Sequence, residues 1–220
     1  MVKKPQKLFV KYVAQQCLKL EENKNFTLVF KAFRRNYQLV PLEVFHKSPY
    51  KTLISTLLSS RTRDDITLLA SRRLFKKAPT LKKMGQLEQL EIEKLIYPVG
   101  FYRTKAKYLK QITRLNLVKV PKTRAKLMRL PGVGRKTANL VLNRAFGIPA
   151  IAVDTHVHRI SNLLGWVHTN TPEKTEIELA KILPKKYWPD INRLFVSIGR
   201  QYKSKKKLEE FLKNEKLILS

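Results

Sequence analysis

Apolar residues recur at intervals of three and four along almost the whole chain, a period that admits packed helices and little else. Val10, Val13, Ala14 and Cys17 follow it, as do Phe26, Val29, Phe30 and Phe33. Ser48 and Pro49 read as an N-cap and first helical residue ahead of Tyr50, Leu53, Ile54, Leu57 and Leu58. Asp64 or Asp65 opens the next helix, with Ile66, Leu69 and Ala70 inward. Ala106, Leu109 and Thr113 mark another, then Ala138, Val141, Leu142 and Ala145, then Val157, Ile160 and Leu164. Thr171 and Pro172 form a second cap pair ahead of Ile177 and Ala180. Ile191, Leu194, Phe195 and Ile198 make the last long stripe, and Leu208, Phe211 and Leu212 a short terminal helix. That makes about ten helices. No segment alternates with period two. The apolar run Ile148 to Val153 contains Pro149 and has no partner strand, so it is expected as an extended connection. Only 7 glycines in 220 residues fit the same picture. The expected class is all-α.

Charge sets the partner. Lys plus Arg is 46 and Asp plus Glu is 16, a formal net charge of +30. A compact chain repels itself at that charge unless its working partner is a polyanion. Nucleic acid comes first, because neutralised phosphates release condensed counterions. An anionic membrane is a weaker fit, and a generally lysine-rich thermophilic composition is the alternative source of the charge. Cys17 is the sole cysteine, so neither an intrachain disulfide nor an all-cysteine metal or iron–sulfur site can form; it reads as a small apolar residue on the first helix. Met1 to Leu20 holds no uninterrupted apolar stretch with a cleavage site. No signal peptide or transmembrane segment is expected, and the location expected is cytoplasmic with chromosomal DNA, or nuclear in a eukaryote. His156 and His158 are two apart and point to different helix faces, so no metal is assigned.

The informative stretch is Leu130-Pro131-Gly132-Val133-Gly134-Arg135-Lys136-Thr137-Ala138. A helix of roughly Arg124 to Arg129 meets a Gly-x-Gly turn and a second helix begins. The glycines allow positive φ and close approach of a ligand to the backbone. Val133 can anchor the turn in the core, while the second helix offers its N–H groups to an anion. A helix-hairpin-helix of this kind grips a DNA phosphate without reading sequence; an ordinary αα-hairpin is the plainer reading. Lys136 stands in the first helical turn, where the macrodipole disfavours a cation. Together with Arg135 and partial burial, that position favours a neutral amine able to attack a sugar carbon; the plainer reading is a solvated lysine. Asp154 follows eighteen positions later in Ala152-Val153-Asp154-Thr155-His156-Val157. By spacing it is the N-cap of a helix from Thr155 to Leu164.

These residues resemble the endonuclease III family of the helix-hairpin-helix DNA glycosylase superfamily. The likeness extends through Ser48-Pro49-Tyr50, Leu57-Leu58-Ser59-Ser60-Arg61-Thr62-Arg63-Asp64 and Val99-Gly100-Phe101-Tyr102-Arg103-Thr104-Lys105-Ala106, covering the chain from near Val40 to Tyr202. It implies two helical domains with a DNA-binding cleft: residues 38–148 as a six-helix barrel ending in the hairpin, and 1–37 with 149–220 as a second domain carrying Asp154. It implies a bifunctional DNA glycosylase and AP lyase of base excision repair, acting on oxidised pyrimidines. Lys136 would attack C1′ and Asp154 would be the catalytic carboxylate. Duplex DNA with damaged bases or abasic sites would be the partner of a monomeric enzyme. The expected DNA contacts are Arg61, Phe101, Tyr102, Gly132, Val133, Gly134, Arg135, Thr137, Lys203 and Lys205. Phe101 would be an apolar wedge, with core packing as the alternative.

Two departures from the family pattern stand out. Family members commonly end in four cysteines holding an iron–sulfur cluster; here Lys203 follows Gly199-Arg200-Gln201-Tyr202 and no cysteine comes after it, so no cofactor is expected. Packing of the terminal helix would take over the cluster's positioning role, and the basic run Lys203 to Lys207 is either a set of phosphate contacts or a solvated face. Arg61 occupies a gap-filling position where the family usually has glutamine, which bears on the opposite base. The same fold acting on another lesion, such as 8-oxoguanine, and a non-catalytic hairpin module that only binds DNA are the alternative functions.

Overall fold

The computed structural model describes residues 25–46, 48–115 and 117–219. Among these residues it is entirely helical, with twelve α-helices, two short 3-10 helices and no strand. The helix expected over Val10 to Cys17, and Cys17 itself, lie outside the described residues. The chain forms two compact units: one runs Leu39–Ala152, the other joins residues up to Gln38 with Val153 onward.

The Leu39–Ala152 unit begins with a 3-10 turn, Pro41–Phe45. It continues as α2 Pro49–Ser59, α3 Asp64–Lys77, α4 Leu81–Gly85, α5 Gln89–Ile96, α6 Tyr102–Arg114, α7 Arg124–Met128 and α8 Arg135–Phe146. The cap read from sequence is present: the Lys51 amide donates to Ser48 Oγ at 3.3 Å, with Pro49 opening the helix. α2 packs against α3, α6 and α8. Its Leu53, Ile54, Leu57 and Leu58 meet Leu74, Met84, Ile92, Ile96, Leu109, Ile112 and Val141 in one apolar core.

The second unit holds α1 Phe26–Arg35, α9 Thr155–Leu163, α10 Pro172–Ile182, a 3-10 turn Lys185–Tyr187, α11 Trp188–Gln201 and α12 Lys205–Asn214. Its core is aromatic. Phe30 stacks on Tyr187 at 4.2 Å, Phe33 meets Phe195 edge-on at 5.0 Å, and Phe26 meets Trp166 edge-on at 4.6 Å. The terminal helix α12 buries Leu208, Phe211 and Leu212, and Tyr202 stacks on Phe211 at 4.4 Å.

Two helices bury a face shifted from the one expected; in α3 Ala70 is buried and Ile66 packs on the core as expected, but Leu69 does not. In α3 the buried face is Thr67, Ala70, Ser71, Leu74 and Phe75, leaving Leu69 58% exposed. In α10 it is Thr175, Glu176 and Leu179, with Ile177 48% exposed and Ala180 on the surface. The reason is the same in both. Thr67 Oγ1 donates to the Arg63 carbonyl and Thr175 Oγ1 to the Thr171 carbonyl, each at 3.0 Å, so a threonine satisfies its hydroxyl within its own helix and enters the core. A pattern that scores threonine as polar rotates the face.

Arg34 of α1 and Arg193 both pair with Asp190 of α11, at 2.6 and 2.8 Å. Burial pushes the Asp190 carboxyl up, but the two arginines outweigh it and hold it below the usual carboxylate range. A carboxyl depressed in the folded state contributes stability above its unfolded pKa of about 4 and loses that contribution as pH falls through the lower folded value. Urea titrations should therefore show a steeper acid-side loss of stability below about pH 4 in the parent than in Asp190→Asn.

Candidate active site

The hairpin is built as its sequence implies. α7 ends at Met128, the Leu130 amide donates to the Leu127 carbonyl at 3.0 Å, and Val133 donates back to Leu130 at 3.1 Å. Gly132 takes φ 74, and a Cβ there would lie 2.4 Å from the Tyr108 ring. Gly134 is the N-cap of α8 and supplies no side chain to the first turn; a Cβ on it would meet nothing within 4 Å. The two glycines thus serve different ends. Gly132 makes the turn possible, while Gly134 leaves an open approach to backbone amides that lack intrahelical acceptors. Val133 is 6% exposed, so its side chain anchors the turn and only its backbone remains open to a ligand. Arg135 and Lys136 are exposed and Thr137 is half-buried. The partial burial expected for Lys136 is not found: α8 turns Ala138, Val141 and Leu142 inward and leaves its second residue on the rim.

Asp154 is the N-cap of α9. Its Oδ1 accepts from the His156 and Val157 amides, both at 2.9 Å, which fixes the direction of the carboxylate. Lys136 belongs to the Leu39–Ala152 unit and Asp154 to the other. The apolar run after α8 is extended, and no strand pairs with it. Asparagines one helical turn apart take its polar groups: Asn139 Nδ2 donates to Ile151 O at 2.7 Å, and Asn143 exchanges two hydrogen bonds with Ala150. An unpaired buried backbone is costly, so these side chains stand in for a neighbouring strand.

A second cluster lies at two turns, one after α2 and one before α6. Arg61 has φ 51 and Phe101 φ 58, both left-handed. Bulky residues rarely adopt that region, at a cost of about 1–3 kcal/mol each. The Arg61 guanidinium lies 5.4 Å from the Phe101 ring centroid. Phe101 is 61% exposed, so the core-packing alternative does not hold. Tyr102 is half-buried and meets Tyr97 edge-on at 5.4 Å. Gly100 seats the second turn on the first: a Cβ there would come 2.5 Å from Arg61 O. Beneath both turns is a buried lysine, Lys105, 5% exposed, whose ammonium donates to Leu58 O at 2.7 Å, Ser60 O at 2.5 Å and Thr62 Oγ1 at 3.3 Å. Burial pushes its pKa down to about 8.

The geometry can be set against known proteins. Residues 54–185 match the HhH-GPD superfamily of base excision DNA repair proteins. Endonuclease III of Thermotoga maritima is 45% identical over 177 residues, 79% of this chain and 80% of that one. The chain belongs to the endonuclease III family.

The chicken endonuclease III-like protein 1 is 43% identical over 159 residues, 69% of this chain, which spans 57% of that longer relative. A trapped endonuclease III–DNA covalent intermediate superimposes with a TM-score of 0.67 at 31% identity, covering 93% of this chain and 89% of that one. This family member is a base excision repair DNA glycosylase with AP lyase activity. The iron–sulfur cluster common in the family does not fit its donor set, since one cysteine cannot supply four thiolates. No three His, Cys, Asp or Glu side chains among the described residues form a metal site, and no helix there is long and apolar enough to cross a membrane.

The terminal basic run opens α12. Lys203 and Lys205 are exposed, and Ser204 caps the helix through the Lys207 amide at 3.2 Å. Lys203 O accepts from Arg159 at 2.6 Å, and Lys205 Nζ lies 3.7 Å from Glu209. Sequence reading missed Thr62, Lys105 and Asn143 as site-builders; each looks like an ordinary helical or turn residue until its long-range partner is known. The two hairpin glycines should separate on substitution. Gly132→Ala is expected to cost more than about 1 kcal/mol in chemical denaturation, from positive φ and the Tyr108 clash. Gly134→Ala should stay within about 0.5 kcal/mol yet weaken DNA binding in a filter or anisotropy assay.

Proposed function

We propose that this enzyme removes oxidised pyrimidines from duplex DNA as a monomer and without an iron–sulfur cluster, with Lys136 as nucleophile and Asp154 as catalytic carboxylate. The observation that carries the reading is an exposed lysine in the first turn of the hairpin helix, one residue past the N-cap glycine's neighbour Arg135, in a chain of a base excision repair family. Gly132, Gly134, Arg135 and Thr137, with the Val133 backbone, hold a phosphate of the lesion strand. Lys203 and Lys205 add charge that is not sequence-specific. The damaged nucleotide leaves the stack. Arg61, Phe101 and Tyr102 then occupy and flank the gap, the exposed Phe101 ring wedging between base steps.

The unprotonated Lys136 amine attacks C1′ and the glycosidic bond breaks, its electron pair leaving with the base, which is then protonated. Asp154 stabilises the developing positive charge on the sugar and shuttles protons. Ring opening yields an imine between Nζ and C1′; loss of a C2′ proton expels the 3′ phosphate and cuts the strand. Without the amine, no imine forms.

Duplexes carrying thymine glycol, 8-oxoguanine or an abasic site, treated with borohydride, test this directly. A covalent adduct with thymine glycol in excess over 8-oxoguanine is expected, and the reverse ranking refutes the pyrimidine assignment. Lys136→Gln should abolish trapping and leave DNA binding within about threefold. Asp154→Asn should slow base release by about a hundredfold or more while keeping the cap, since the amide oxygen still accepts from the His156 and Val157 amides.

A further inference from the structure

We infer that Lys105 is a positioning residue for lesion recognition: it ties together the two turns that carry Arg61 and Phe101 and sets where those side chains project. The inference rests on the gap-filling role proposed for that pair. Two of the Lys105 acceptors, Leu58 O and Ser60 O, are carbonyls at the C-terminal end of α2, which no further helical turn can satisfy. The third, Thr62 Oγ1, is a junction. It donates to Ser60 O at 3.2 Å, accepts from Lys105 at 3.3 Å, and accepts from the Gly100 amide at 3.1 Å. Its one donor and both acceptor sites are therefore used. Through Thr62 the ammonium reaches from the Arg61 turn to the Phe101 turn, and Gly100 closes the gap by admitting Arg61 O where a Cβ would clash.

A core-filling role alone does not need this residue. Lys105 is buried on the helix that sends Ala106 and Leu109 into the apolar core, and methionine has nearly the same length without the desolvation of a charge. What methionine lacks is three donors radiating from one atom. Their use is to hold α2's last carbonyls and the Thr62 hydroxyl in register while Arg61 and Phe101, one in each turn, sit in left-handed backbone.

The test compares Lys105→Met, Thr62→Val and an Arg61→Ala/Phe101→Ala double variant on two substrates: duplex thymine glycol opposite each of the four bases, and an abasic site in a single strand. The single strand has no partner base and no stack to wedge, so it reports the lysine chemistry alone. Lys105→Met should lower duplex base release about tenfold or more and flatten its dependence on the opposite base, while single-strand cleavage stays within about threefold of the parent. Added to the double variant it should cause no further loss, because it acts through the same two side chains. Equal losses on both substrates, an unchanged duplex rate, or losses that multiply with the double variant overturn the inference. If the double variant itself releases duplex thymine glycol at the parental rate, the gap-filling reading falls and the inference with it. A loss there without one in Lys105→Met removes the inference alone. Should Lys105→Met lose its helical circular dichroism, Thr62→Val carries the test: it must show the same split between substrates, in smaller measure.

Discussion

An α-helix leaves its first amides and last carbonyls without intrahelical partners, and the residues proposed to act in this protein stand at such ends. Gly134 opens α8 with no side chain of its own. Asp154 meets the start of α9 with one carboxylate oxygen. Lys105 meets the end of α2 with an ammonium. Phe101 opens α6 from a left-handed residue that exposes its ring. Short helices multiply such ends, and the twelve among the described residues offer many places where a side chain can be held at a surface.

The charge of the chain follows the same logic of place. A formal +30 is carried with only 16 acidic residues, so few lysines and arginines can be paired. Where acids do appear, several tie helices together: Asp190 takes Arg34 and Arg193, and Glu215 takes Arg35 and Asn36. Among the described residues many of the other lysines and arginines, the buried Lys105 apart, are exposed, where a polyanion can neutralise them. In the second unit Phe211 packs the terminal helix against Phe33 and Tyr202, and Arg159 donates to the Gly199 and Lys203 carbonyls ahead of that helix.

Asn25, Arg61, Phe101 and Lys216 take left-handed backbone, and two of them meet. Arg61 and Phe101 share one spot, and their turns are the ones braced by a buried charge and by a glycine with no room for a side chain. Left-handed backbone at bulky residues persists only where neighbouring contacts over-determine it. Here those contacts join two stretches far apart in sequence, residues 58–62 and residues 100–105.

Local chemistry in the sequence was enough for the all-helical class, the Ser48, Thr171 and Asp154 caps, the Gly-x-Gly hairpin, and Lys136 beside it. A cap or a turn depends on residues within a few positions of one another, so its signature is written contiguously. The same holds for the extended run after Gly147, marked by Pro149. What the neighbours in space decided was of another kind. Which face of α3 and α10 turned inward depended on threonines whose hydroxyls could be satisfied at i−4. Asn139 and Asn143 became a substitute strand only because the chain doubled back on them. Lys105 is one lysine among many until burial strips its water and three oxygens from another turn replace it. Residues far apart in sequence exchange desolvation and hydrogen bonds only after folding brings them together, so no single stretch of the chain could announce them.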